Sequence, residues 1–128
     1  MKDKIIIGID GGATSTTAVM FNNAGDTLSY DTCGGTNLSI DEEASSKKVL
    51  SLINNLCRKS NVDLESISAL GIGLAGASNK NGRDRLFGLL DNINLSDKSL
   101  ITNDIDPVYE FIWENNAGIL LNVGTGVI

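Results

Sequence analysis

Residues 5–20, reading IIIGIDGGATSTTAVM, constrain this chain more than any other stretch. An apolar run ends in Asp10-Gly11-Gly12; Ala13 and a hydroxyl cluster, Thr14 to Thr17, follow, and a second apolar run begins. The pattern predicts two β-strands joined by a glycine-containing turn. Gly11 and Gly12 are free to take positive φ, and with no Cβ they let a ligand approach the backbone closely. Successive backbone N–H groups in such a turn form an anion-binding concavity, to which the hydroxyls add donors. Asp10 repels a bare phosphate but attracts a hydrated magnesium ion carried by one. Together these groups suit a metal–nucleotide phosphate. The same residues also suit a tight Gly-Gly hairpin that binds nothing.

Composition narrows the function classes. A length of 128 residues suffices for one domain with a real core and not for two. The net charge of −6, without any Lys/Arg cluster, argues against a nucleic-acid or anionic-membrane surface. There is no histidine, so acid–base work falls to carboxylates. Cys33 and Cys57 belong to no CxxC motif and read as reduced thiols of a cytoplasmic protein. The first apolar run is too short for a signal peptide or a membrane span.

Taken in order, strands are expected at 4–9, 16–21 and 27–33, the last alternating Leu28, Tyr30 and Thr32 against Ser29 and Asp31. Ser39 and Glu42 form a capping box ahead of a helix reaching Ser60, with Val49, Leu50, Ile53, Leu56 and Cys57 on its inner face. A buried strand at 67–74, a helix at 83–93 and a short strand at 99–102 follow. Asp106 then caps a helix with Pro107 at its first position, and 118–123 is one more strand. The order β-β-β-α-β-α-β-α, with a further strand at 118–123, predicts an α/β fold. Its mixed sheet would have about five strands, the later ones parallel, with helices on both faces. Ligands collect beyond the carboxyl ends of such strands, where Asp10, Gly76 and Asp104 all fall. Gly71-Ile72-Gly73-Leu74-Ala75-Gly76 satisfies GxGxxG, but its first two glycines lie inside the strand and residues 78–82 delay the helix. Gly71 and Gly73 read better as sites of close helix packing.

Ile9-Asp10-Gly11-Gly12-Ala13-Thr14 resembles the first phosphate motif of the actin/hexokinase/Hsp70 superfamily. Gly35-Thr36-Asn37, Gly73-Leu74-Ala75-Gly76, Thr102-Asn103-Asp104 and Val123-Gly124-Thr125-Gly126 follow in the order of the BadF/BadG/BcrA/BcrD ATPase family, which includes N-acetylglucosamine kinases. The resemblance implies a ribonuclease H-like (actin-like ATPase) domain that uses ATP and Mg2+. By it, Gly11, Gly12 and Thr14 wrap the nucleotide phosphates, Asp10 stands near magnesium through water, and Gly124-Thr125-Gly126 is a second phosphate loop. Asn37, Gly76 and Ala77 border the sugar together with Asp104, the catalytic base. Asp104 also meets a physical need, since phosphoryl transfer requires a carboxylate to take the acceptor hydroxyl's proton. Asn37 reads equally as a loop amide bonding its own backbone. The family commonly carries a third glycine where Ala13 stands, and alanine would strain a positive φ there.

Superfamily members have two such domains with the nucleotide between them. The resemblance therefore implies an N-terminal domain at 1–116 and the first strand of a second at 117–128, in a fragment inert by itself. The expected activity of the full-length protein is ATP-dependent phosphorylation of N-acetylglucosamine or a related amino sugar. The alternative is the ATPase activator of a 2-hydroxyacyl-CoA dehydratase or benzoyl-CoA reductase, and a non-catalytic sugar- or nucleotide-sensing domain stands third. Expected partners are ATP and a small sugar, with no nucleic acid and no membrane; a homodimer is compatible with the resemblance.

Overall fold

The computed structural model describes residues 4–103. In chain order they form β1 (Ile5–Gly11), β2 (Ser15–Asn22), β3 (Thr27–Gly34), α1 (Glu42–Ser60), β4 (Ile67–Leu74), α2 (Lys80–Asp91) and β5 (Ser99–Thr102). One five-stranded sheet results, in the order β3-β2-β1-β4-β5. β1 pairs antiparallel with β2, and β2 with β3, whereas β4 lies parallel to both β1 and β5. This is the mixed sheet expected. The expected helix from Asp106, the expected strand at 118–123, the expected boundary near 116 and the expected site residues Asp104, Gly124, Thr125 and Gly126 lie outside the described residues.

Strand alternation sorts the side chains. Register sets Ile7 beside Met20 and Leu70, and Ile9 beside Ala18 and Ile72. All six are fully buried in one core cluster with Val49, Leu52, Ile53 and Leu56 of α1 and Leu86 and Leu90 of α2. Each such leucine or isoleucine contributes about 1.5–3 kcal/mol. α1 and α2 pack on each other as well as on the sheet, so both described helices cover the same face. On the opposite face Ile6 neighbours Phe21, and both are buried. Asp10, by alternation, lies on that opposite face.

Several local readings change. The capping residue of α1 is Asp41, whose carboxylate accepts from the Ala44 N–H at 2.9 Å. It stands directly before the first turn, where a negative charge also meets the positive end of the helix dipole, while Ser39 N–H is committed to Asn37 Oδ1 at 2.9 Å. Asn61, in the left-handed region at φ 56°, ends the helix. Leu52 belongs to the inner stripe, and Leu50 is only half-buried. β3 presents the opposite face from that suggested by its apolar residues. Tyr30 is 57% exposed, whereas Ser29 is buried and donates to the Leu56 carbonyl at 3.0 Å. Contact with α1 decided this phase.

α2 starts at Lys80 rather than near 83, because Asn79 caps it by accepting from Gly82 N–H at 3.2 Å. Gly82 is also the glycine that admits a close neighbour. A Cβ there would come within 2.7 Å of the Leu38 carbonyl oxygen. Gly71 and Gly73 do not pack against a described helix. They pair with Gly8 and Asp10 and so lie on the face away from α1 and α2.

Candidate functional site

Three loops meet where β1 and β4 end. The β1–β2 hairpin, the segment after β3 and the segment after β4 are joined by main-chain hydrogen bonds. Thr36 N–H donates to Gly12 O at 3.0 Å, Ala75 N–H to Gly11 O at 2.8 Å, and Leu38 N–H to Ala75 O at 3.0 Å. Beneath the junction, the Thr16 and Thr36 hydroxyl oxygens lie 2.8 Å apart, fully buried, and Thr16 also donates to Gly34 O at 3.0 Å. A buried hydroxyl left unpaired costs about 1–3 kcal/mol, and this pair satisfies both members. The tip of the β1–β2 hairpin and the segment carrying Asn37 are thereby one unit.

At the hairpin tip, Gly12 N–H donates to Ser15 O at 2.8 Å. Neither glycine takes positive φ, nor does Ala13, so the strain expected at Ala13 does not arise. The two glycines do different work. A Cβ on Gly11 would overlap Thr36 Oγ1 and Leu74 Cδ2, so this glycine serves internal packing. A Cβ on Gly12 would meet only Ser15 O, at an ordinary 3.5 Å. Thr14 and Ser15 are exposed and Thr17 is half-buried, whereas Thr16 is committed to the interior and offers a ligand nothing. Gly12→Ala is therefore expected to change stability by less than about 0.5 kcal/mol and, if the hairpin borders a nucleotide phosphate, to raise the KM for ATP of the full-length protein. Thermal melting with an ATP titration checks this, and an unchanged KM would remove Gly12 from the phosphate site.

Asp10 ends the apolar part of β1, beside Gly73 on one side and Thr17 on the other. Desolvation raises its pKa. No cluster of three His, Cys, Asp or Glu side chains suited to a metal exists among the described residues. A lone carboxylate fits magnesium, which keeps most of its waters and takes further oxygens from phosphate. In the metal-free protein, a raised folded-state pKa makes stability fall as pH rises from the unfolded value through the folded one. Asp10→Asn should therefore be more stable than the parent at neutral pH, and the difference should vanish near pH 3, where both states of the parent bind the proton. Chemical denaturation at the two pH values tests this.

In the segment after β3, Asn37 is half-buried and forms an isolated parallel bridge with Ala75. Its Oδ1 accepts from Ser39 N–H, which is the local backbone bond that was the competing reading; Nδ2 remains as a donor. Gly76 adopts φ +76°, and a Cβ there would overlap Asn37 Oδ1 and approach Ser39 N at 2.5 Å. Ala77 is placed otherwise than expected. It is 2% exposed within the core, and its carbonyl accepts from Arg83, so its side chain does not line an opening. Asp10, Gly73 and Thr102 lie in one row across β1, β4 and β5. The outer two are about 10 Å apart by strand spacing, and Asp104 follows Thr102 by two residues.

Sequence reading quoted Gly35 and Thr36 within a motif without giving either a role, and it missed Lys48 and Ser45. Thr36 closes the buried hydroxyl pair, and Gly35 lets its segment lie on the hairpin, since a Cβ there would overlap the Ala13 carbonyl. Lys48 donates to Gly35 O at 3.0 Å, and Ser45 bonds the Asn37 backbone. Gly35 and Thr36 carried a visible signal through the Gly35-Thr36-Asn37 motif, whereas Lys48 and Ser45 carried none.

The model of the BadF/BadG/BcrA/BcrD ATPase family matches residues 7–127. The chain belongs to this family. Its sequence is 29% identical over 131 residues to an N-acetylmuramic acid/N-acetylglucosamine kinase of Clostridium acetobutylicum, covering 98% of this chain and 41% of the kinase. Among solved structures, a candidate N-acetylglucosamine kinase from Chromobacterium violaceum superposes with a TM-score of 0.59 at 22% identity, covering 77% of this chain and 34% of that one. YeaZ from Pseudomonas aeruginosa gives 0.53 at 13% identity, over 88% and 49%. These likenesses establish the ribonuclease H-like, actin-like ATPase fold. The family member described here thus spans well under half of the kinase it matches. Among its described residues no helix is long and apolar enough to cross a membrane.

Proposed function

We propose that this domain supplies the first phosphate loop and the acceptor-binding segment of an ATP-dependent kinase for N-acetylglucosamine or a related amino sugar. The observation that carries the reading is the three-loop junction, which ties Gly12 of the hairpin to Thr36 and thus to Asn37. Positioning two reactants is most of what phosphoryl transfer asks of a protein. Gly12 and Thr14 would border the phosphates, with Gly124-Thr125-Gly126 as the second loop, and Asp10 would face hydrated Mg2+, which neutralises developing charge. Asn37 and the Gly76 backbone would hold the sugar. The sugar hydroxyl oxygen forms a bond to the γ-phosphorus as the β–γ bridging bond breaks; ADP leaves, and Asp104 takes the hydroxyl proton.

The test is ADP release by the full-length protein with N-acetylglucosamine, N-acetylmuramic acid, glucosamine and glucose in turn. Release that requires one of these sugars supports the reading. Release indifferent to all four overturns it and favours the activator-type ATPase, to be followed by a search for an iron–sulfur cluster.

A further inference from the structure

Asn37 is held more tightly than a loop residue needs to be. The Ser45 hydroxyl, on the first turns of α1 and 4% exposed, accepts from Asn37 N–H at 2.9 Å and donates to Asn37 O at 3.2 Å. One buried side chain thus grips both polar groups of a single peptide residue. The same Asn37 carbonyl accepts from Ile40 N–H at 3.2 Å and Asp41 N–H at 3.1 Å, which leads directly into the helix carrying Ser45. The side chain is fixed separately. Ser39 N–H can only donate, so the amide oxygen must face it, and this settles the orientation of the amide. Gly76 lies against this bond, leaving no room for a side chain beside Asn37 Oδ1 and Ser39 N.

We infer that Ser45 is a positioning residue that presents Asn37 Nδ2 as a fixed hydrogen-bond donor, selecting an oxygen acceptor on the sugar. The inference rests on the kinase reading. A preoriented donor loses little freedom on binding, so its misplacement by an ångström is costly. Because Nδ2 can only donate, a substrate group offering only N–H at that point cannot replace the oxygen.

The experiment uses the full-length protein and N-acetylglucosamine as probe, or whichever of the four sugars supports turnover. Ser45→Ala should lower kcat/KM for the sugar by roughly 10–100-fold and leave the KM for ATP unchanged. Combined with Asn37→Ala it should add nothing, because both changes remove the same contact. Asn37→Asp keeps an acceptor for Ser39 but has no N–H, and should impair sugar use at least as severely as Asn37→Ala; this arm stands even where Ser45→Ala fails to fold. A Ser45→Ala protein with unaltered sugar kinetics, a Ser45→Ala effect that multiplies with that of Asn37→Ala, or Asn37→Asp outperforming Asn37→Ala would each refute the inference while the kinase reading survives. Absence of sugar-dependent turnover in the parent protein would refute both.

Discussion

Asp104→Asn is expected to reduce sugar-dependent ADP release by roughly 10²–10⁴-fold, the usual contribution of a positioned general base. Asparagine preserves shape and can still accept a hydrogen bond from the sugar hydroxyl, so the KM for sugar should move little. What it cannot do is take the proton. The loss should therefore appear in kcat, and binding of sugar and nucleotide to the inactive protein should remain measurable by calorimetry. A loss of less than about tenfold would place the base elsewhere.

Gly35→Ala should be the most damaging substitution within the described loops. The added methyl would overlap the Ala13 carbonyl and approach Thr14 N at 3.1 Å, and both are backbone atoms that no rotamer change can move aside. Overpacking of this kind costs about 1–3 kcal/mol. The segment has little room to retreat, since Thr36 is bonded to Gly12 and Thr16, and Lys48 holds the Gly35 carbonyl. The hairpin tip must then shift against the acceptor segment, and a displacement near 1 Å can lower turnover about 100-fold. Thermal unfolding and steady-state kinetics should show a modest fall in stability beside a large fall in kcat. A protein with parental kcat would show that the two loops need not be held in register.

Much of this molecule was legible beforehand because its signals are local. The boundaries of β4 and β5 match the expected 67–74 and 99–102, since short apolar runs bounded by polar segments leave little freedom of assignment. The meander and the convergence of Asp10 and Gly76 at one sheet end followed from element order alone. Other features were set by contacts between residues far apart. The buried face of β3 depends on Leu56 offering its carbonyl to Ser29, across 27 positions. The roles of Gly11 and Gly12 look identical in sequence, yet one is pressed against Leu74 and Thr36 and the other is open.

The sequence by itself determined the strand and helix order of the described residues and the family, because apolar periodicity and motif spacing are properties of neighbouring residues. Only the tertiary structure decided which hydroxyls are spent internally, which glycine makes room for a loop and that the Asn37 amide oxygen is held by the Ser39 N–H. Those depend on close approaches between loops from three different strands, and such distances exist only once the sheet has assembled.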